Sequence, residues 1–261
     1  MSVEKWMTKI QQSQKITVVT GAGISIASGI PPFRKDKDAV WEQHVTTKGT
    51  ELYLLTQPQE FWSWYNDLFG NLLTKEPNPA HHALVGLEKW ALSKNKQFTL
   101  ITQNVDCLHQ KAGSENLFEI HGRVNVWRCI NKRCLRGGKD GLLEIADVVD
   151  FEEGVPQCPI CQSQVRPHVL LFDEDYASHW DYAIHPVLRS LQTADVILYI
   201  GTSFSVGFTD MAVSIATQGK IPQLGIDPSP TEQFANIDWW KINAEEGLPL
   251  LMTALHSNEA L

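Results

Sequence analysis

The sequence lacks an apolar run long enough to cross a bilayer, for which about eighteen consecutive residues would be needed. It also lacks an excess of positive charge: 22 Lys and Arg stand against 30 Asp and Glu, a net charge of −8. Phosphate backbones and anionic lipid surfaces are gripped by clustered Lys and Arg, so neither nucleic acid nor membrane is an expected partner, whereas basic peptides are compatible. The first fifteen residues, MSVEKWMTKIQQSQK, are polar and amphipathic and show neither the apolar segment nor the cleavage site of a secretory leader. The expected location is therefore cytoplasmic. Cysteine is scarce and odd in number, five in all, so a full set of disulfides within one chain is impossible. No internal repeat and no low-complexity segment stands out.

What the sequence does hold is enough apolar material, 43% of 261 residues, for one large domain or a core with a smaller module inserted. KITVVT (15–20), QFTLITQN (97–104), NLFEIHG (116–122), ADVILYIGTS (194–203) and IPQLGID (221–227) have the apolar, β-branched character of strands. Between them lie helical patterns. One spans 58–73, with Phe61, Tyr65, Leu68 and Leu72 on one face. A second spans 78–95, with Asn78 as N-cap and Pro79 in the first position. A third, FTDMAVSIATQG, is closed by Gly219. Strand and helix in repetition imply an α/β fold, a Rossmann-like doubly wound parallel sheet with helices on both faces. Residues 123–165 break the pattern. The expected organisation is a core of 1–124 and 166–261, a helical portion at about 35–80, and an inserted module at 125–165.

The module carries four of the cysteines. Cys129 and Cys134 are spaced C-x₄-C, Cys158 and Cys161 C-x₂-C, with 23 residues between the pairs. Two close pairs can converge as four thiolates around a tetrahedral zinc ion. A redox C-x-x-C is the competing reading, but it leaves the first pair unexplained. Cys107 is left over as a small buried filler.

The turn TGAGISIASGIPPFR (20–34) follows the first strand. A strand, a Gly-x-Gly and a helix start are what dinucleotide sites use, because glycine lets the backbone approach a pyrophosphate and the helix start offers free N–H groups. GAGISIAS is not a full G-x-G-x-x-G, and a plain structural turn is the alternative. Two further strands end in similar polar sets, TQNVD and GTSFS. Three such ends along one sheet edge would line a crevice suited to a nucleotide.

In this order the chain holds GAGISIASGIPPFR, TQNVDCLHQKAG, EIHGRV, the paired cysteines, RPHVLLFDE and GTSFSV. On these motifs it resembles the sirtuins, NAD-dependent protein-lysine deacylases, from about residue 15 to 255. The resemblance implies that Gly21, Ala22 and Gly23 hold the NAD phosphates and that a loop from Ile30 closes over the cofactor, with Phe33 shielding the ribose and Arg34 pairing with phosphate. It implies that Gln103, Asn104, Val105 and Asp106 hold nicotinamide and its ribose, and that Gly201, Thr202 and Ser203 line the adenosine end. Asp227 and Ala244 fall near the adenine ribose and adenine positions. His121, in the HG position, is implied as the general base: after the acyl oxygen displaces nicotinamide, a ribose hydroxyl must lose a proton, which suits a neutral imidazole with a pKa of about 7. His109 matches a structural position. His81 and His82, opening a helix, are expected to be partly exposed, and His168 to shape the strand beside the substrate. The implied products are nicotinamide, lysine and O-acyl-ADP-ribose, and the implied partner is an acyl-lysine protein or peptide.

Val169, Leu170, Phe172, Asp173 and Glu174 are the implied substrate edge, to which a peptide adds as a strand. Asp173 replaces the glycine usual there, which would narrow the groove or favour a basic peptide residue. RPHV also resembles the branch that removes acidic acyl groups and reads their carboxylate with a Tyr and an Arg three residues apart on one helix. Here Tyr65 is present but Leu68 holds the second position. A carboxylate facing Leu68 would stay desolvated and unpaired, so neutral acyl groups are expected, acetyl first. Two other functions use the same nucleotide site: NAD hydrolysis or ADP-ribosyl transfer, and nucleotide sensing without turnover. A strand-pairing edge argues against the first and His121 against the second.

Overall fold

The computed structural model describes residues 3–31, 45–134, 141–144, 154–202, 204, 207–230, 234 and 236–257. Helix α1 (Val3–Gln12) precedes strand β1 (Lys15–Thr20), which runs into a 3₁₀ turn, Ala22–Ser28. Then come α2 (Glu51–Thr56), α3 (Pro58–Phe69), α4 (Pro79–Ser93), β2 (Gln97–Thr102), α5 (Leu108–Ala112) and β3 (Leu117–Glu119). Strands β4 (Gly122–Cys129), β5 (Leu142–Glu144) and β6 (Val165–Val169) follow. The chain finishes with α6 (Ile184–Thr193), β7 (Val196–Ile200), α7 (Gly207–Gln218), β8 (Gln223–Ile226), β9 (Ile237–Trp240) and α8 (Ala244–Ser257).

Six strands make one parallel sheet in the order β3-β2-β1-β7-β8-β9. Without the inserted strands this is 3-2-1-4-5-6, the order of doubly wound dinucleotide-binding sheets. Alternation along each strand builds two cores. Ile16, Val18, Leu100, Val196 and Leu198 face α1, α4 and α8 through Ile10, Leu84, Leu87, Leu251 and Leu255. Val19, Ile101, Ile197 and Tyr199 face α6 and α7 through Val187, Leu191, Phe208 and Ala212. Covered on both faces, β7 is apolar at nearly every position, as a buried parallel sheet requires, and β1 is buried from Ile16 to Thr20, with Thr17 and Thr20 bonded to Ser190 and His109.

The expected strands and the Asn78-capped helix are present; the Asn78 side chain accepts from the N–H of Ala80. The expected helix at 58–73 stops earlier, at Phe69, followed by Gly70 and a 3₁₀ turn at Leu72–Thr74. Strands β4, β5 and β6 form a separate antiparallel sheet. It begins at Gly122 and ends at Val169, a few residues outside the expected 125–165. Helices α2 and α3 lie against it through Leu54, Phe61, Trp62 and Tyr65, which share a cluster with Val124, Trp127 and Val165.

Candidate functional site

Strand β1 has β2 on one side and β7 on the other, and the connections leave it in opposite directions. The crevice beyond its carboxyl end is where such sheets bind ligands. Gly21–Gly23 after β1, Gln103–Asp106 after β2, Gly201 and Thr202 after β7, and Asp227 after β8 all lie along that edge. The glycines are required by packing between loops. A Cβ on Gly23 would lie 2.7 Å from the Cα and carbonyl oxygen of Gly201, and Gly201 itself has φ +58 with Ile24 N against it. The N–H of Gly21 donates to Ile200 O and that of Gly23 to Gly201 O, which joins the first and third loops.

The second loop is tied to the first. Asn104 Nδ2 donates to Gly21 O at 3.1 Å and to Ser25 Oγ at 3.2 Å. Asp106 is buried; its carboxylate accepts from Ser25 Oγ at 2.7 Å and from the N–H of Leu108 at 3.0 Å. Burial nevertheless holds its pKa above the ordinary value. Gln103 Oε1 accepts from Thr209 on α7. Asp227 Oδ1 accepts from the N–H of Ser229, an Asx turn that holds the carboxylate at the end of β8. Ala22 and Ile30 are half-buried, and Ala244 is buried as the first residue of α8. Phe33, Arg34, Ser203 and residues 35–44 of the expected helical portion lie outside the described residues.

His121 sits between β3 and β4. Gly122 has φ +75, and a Cβ there would overlap the carbonyl oxygen of His168, so β6 can pair this closely only with glycine beside the histidine. His121 Nδ1 is 2.8 Å from the carbonyl oxygen of Gln103. A carbonyl only accepts, so Nδ1 carries the proton and Nε2 holds a lone pair. Burial pushes the His121 pKa down to about 4, against the opposing hydrogen bond to Gln103, so the ring is neutral at pH 7 but titrates below the expected range. Nε2 lies 3.2 Å from the hydroxyl of Tyr176, a residue that no sequence motif singled out.

The expected substrate edge continues β6. Val169 pairs with Gly122, Leu170 N–H donates to His121 O, and Phe172 N–H donates to Gly49 O. Phe172 is exposed. Two expectations change here. The Asp173 carboxylate turns away to cap α2, accepting from the N–H groups of Glu51 at 2.7 Å and Leu52 at 3.1 Å. Glu174 is held by Arg166 at 2.6 Å and Arg128 at 3.0 Å, all three nearly buried, so its carboxylate anchors the edge from beneath. Tyr65 joins Val105, Cys107, Val169 and Leu171 in one apolar cluster; Leu68 stays half-buried outside it. His81 is fully buried, contrary to expectation, with its ring centroid 4.8 Å from that of His109. His82 is exposed. His168 is buried on β6 and bonded to Asp181.

The thiols of Cys129, Cys134, Cys158 and Cys161 lie within 4.8 Å of one another. The Cys129–Cys161 and Cys134–Cys158 sulfurs are 3.5 and 3.7 Å apart. Four thiolates at about 2.3 Å from a tetrahedral zinc ion would be about 3.8 Å apart, so the set fits the metal. The turn between Cys158 and Cys161 closes through Gln162 N–H to Cys158 O.

Known proteins share this arrangement. The Sir2 family profile matches residues 21–207. A Sir2 homologue solved with ADP-ribose has a TM-score of 0.85 at 29% identity, covering 100% of this chain and 99% of that one. A Sir2 homologue–NAD complex gives 0.81 at 29%, covering 98% and 94%. An NAD-dependent protein deacylase of Thermus thermophilus is 32% identical over 262 residues, 99% of this chain and 97% of that protein. The NAD-dependent deacetylase sir2E of Dictyostelium discoideum is 36% identical over 255 residues, 91% and 73%. With motifs, sheet order and the profile match all falling on the same residues, the chain belongs to the Sir2 family.

Proposed function

We infer that this chain is an NAD-dependent deacylase acting on acylated lysines of proteins or peptides. The observation that carries the reading is His121: a neutral imidazole with its proton on Nδ1 and an unprotonated Nε2, between the loops at the carboxyl edge of the parallel sheet and the end of β6. When bound, NAD supplies the ribose carbon from which nicotinamide leaves. Gly21–Gly23 and Gly201–Thr202 would border its phosphates and adenosine, and Gln103–Asp106 its nicotinamide end. The segment Leu170–Phe172 would border the peptide, and Tyr65 with its apolar neighbours Val105 and Val169 would border the acyl group. That lining favours a neutral acyl chain, because an ion there would lose water without gaining a partner. The four cysteines would hold one zinc ion, as a structural site distant from the proton transfer. Reduced thiols arranged for metal rather than for disulfides support a cytoplasmic location.

The test is incubation with NAD and acetyl-, butyryl- and succinyl-lysine versions of one peptide, with mass spectrometry of products. Deacylated peptide, nicotinamide and O-acyl-ADP-ribose are expected in equal amounts, fastest for acetyl. The His121→Ala variant should lose about 10²- to 10⁴-fold in product formation while still binding NAD. Nicotinamide release that does not depend on acyl peptide would replace the reading with NAD hydrolysis.

A further inference from the structure

Resting on that reading, we propose that Arg123 is a positioning residue for the reaction: held between Glu119 and Asp181, it closes a clamp around the link that carries His121 from one sheet to the other. The need for a clamp comes from the backbone. β3 ends at Glu119 in the parallel sheet and β4 starts at Gly122 in the antiparallel one, so His121 lies in a two-residue link. Upstream, the link is anchored by Ile120, whose N–H donates to Thr102 O. Downstream, the ladder is interrupted. Gly122 pairs with Val169, but the next pair is Trp127 with Pro167, so residues 123–126 of β4 stand against His168 alone. A register shift of this kind re-aims side chains and sends backbone groups to other partners. Here the N–H of Val124 turns to Val105 O, in the loop after β2.

Side chains take over where the ladder stops. Arg123 Nη1 lies 3.3 Å from Glu119 Oε2 and 2.7 Å from Asp181 Oδ2. The first contact spans His121 within the link. The second reaches the 3₁₀ turn Trp180–Tyr182, beyond β6. The same Asp181 oxygen is 2.9 Å from His168 Nε2. A carboxylate only accepts, so that nitrogen of His168 carries the proton. The Tyr182 ring stacks on His168, with centroids 5.0 Å apart and planes at 12°. Glu119, Arg123, Asp181 and His168 thus join the end of β3, the start of β4, the middle of β6 and the turn after it. None of the four side chains is more than 17% exposed, so water screens these pairs only weakly.

The two arms differ in strength. Burial opposes the ionisation of Asp181, but the His168 bond and the Arg123 charge hold its pKa down to about 2, so it is a carboxylate throughout the neutral range. Burial raises Glu119 to about 7, against Arg123, so it is only partly ionised at neutral pH and Asp181 is the stronger arm. The His121 pKa is set by burial and by the opposing Gln103 bond, so Arg123 acts on where the ring lies rather than on its charge.

Arg123→Met tests this, because it keeps much of the side chain's bulk and removes both bonds. With NAD and an acetyl peptide saturating, O-acetyl-ADP-ribose formation should fall about 10- to 100-fold, with KM for NAD and for peptide changed by less than about threefold. Exchange of labelled nicotinamide into NAD, which precedes the proton transfer, should fall by less than about threefold. Asp181→Asn should lose product in the same way, and the double variant should lose little more than Arg123→Met alone, as one unit requires. Should Arg123→Met not fold, Asp181→Asn carries the same comparisons. Nuclear magnetic resonance on the ligand-free protein reads the placement without turnover. The His121 ring should show one tautomer, with its proton on Nδ1, in the unsubstituted protein and a mixture of tautomers in the variant. Product formation within about twofold of the unsubstituted rate, equal losses of product and exchange, losses that add in the double variant, or an unchanged tautomer overturns the clamp. If the unsubstituted protein forms no product from any acyl peptide, the deacylase reading fails, and the tautomer comparison alone decides whether Arg123 places His121.

Discussion

His81 and His109 show how burial sets a residue's chemistry. Neither is exposed, and each keeps one ring nitrogen bonded: His81 Nδ1 accepts from the N–H of Asn78, and His109 Nε2 meets Thr20 Oγ1 at 2.9 Å. Burial lowers both pKa values, His81 to about 4 and His109 well below its ordinary 6.5. The sign follows. Above pH 6.5 neither state is protonated and the stability is fully present. Below it, the unfolded chain takes up protons that the folded chain refuses, so stability falls until the folded value is reached. Glu119, raised to about 7 by burial, acts in the opposite sense, because the folded chain holds that proton first. Urea unfolding between pH 7.5 and 5 should show stability falling below 6.5, and His81→Gln should reduce that slope by about 1.4 kcal/mol per pH unit. Parallel slopes in the two proteins would show that His81 titrates normally. The burial of His81 was not legible in the sequence: the third residue of a helix is usually wet, and here the turn after β1 and α5 cover it. The Asn78–Pro79 start was legible because capping is local. His121 was legible through its HG context, whereas Tyr176 carried no local signal, because only the path of the loop brings it to Nε2.

Helix α2 depends on a residue far away in the chain. Thr50 Oγ1 accepts from the N–H of Tyr53, and Asp173 accepts from those of Glu51 and Leu52, so two side chains satisfy three of the four open donors of the first turn. The glycine usual in sirtuins at this position could not do this. Asp173→Ala should therefore cost about 1 kcal/mol, a fall in Tm of roughly 2–4 °C for a chain of this size, and should speed proteolysis near 45–56. Asp173→Asn should retain part of the effect through its remaining acceptor. If Asp173→Ala leaves Tm and proteolysis unchanged but alters KM for peptides with Lys or Arg beside the acyl-lysine, the carboxylate faces the groove after all. Element by element, the parallel strands were legible because a doubly covered sheet writes continuous apolar runs. The antiparallel sheet was not: VRPHV holds arginine, proline and histidine at positions that are all buried, satisfied by ion pairs and rings rather than by apolar packing. Helix α8 has Pro249 inside it, and β9 has only four residues.

At the scale of the molecule, the smaller sheet is a lever between the cysteine cluster and the base. Strand β4 starts at Gly122, beside His121, and ends at Cys129; β6 starts at Val165, paired with Cys129, and ends at the substrate edge. Next to the cysteines, Arg128 and Arg166 reach Glu174, and Arg166 also meets Glu51 of α2 at 3.2 Å. An ion bound by the four thiolates would thus fix one end of the two strands whose other ends carry the proton acceptor and the peptide edge. Four thiols, three of them buried, converging in so short a span have few other ways to be held together, so metal binding and local folding should be coupled. Metal analysis should find one zinc per chain, and Cys158→Ser should lose it. Proteases should then cut first within 129–161, while the parallel sheet, whose cores lie on other elements, keeps its amide protection. Product formation should fall at least about tenfold, because β4 and β6 no longer hold His121 against the peptide edge. If the metal-free variant resists proteolysis and turns over as before, the cysteines do not hold a structural metal and the two ends of the lever are independent.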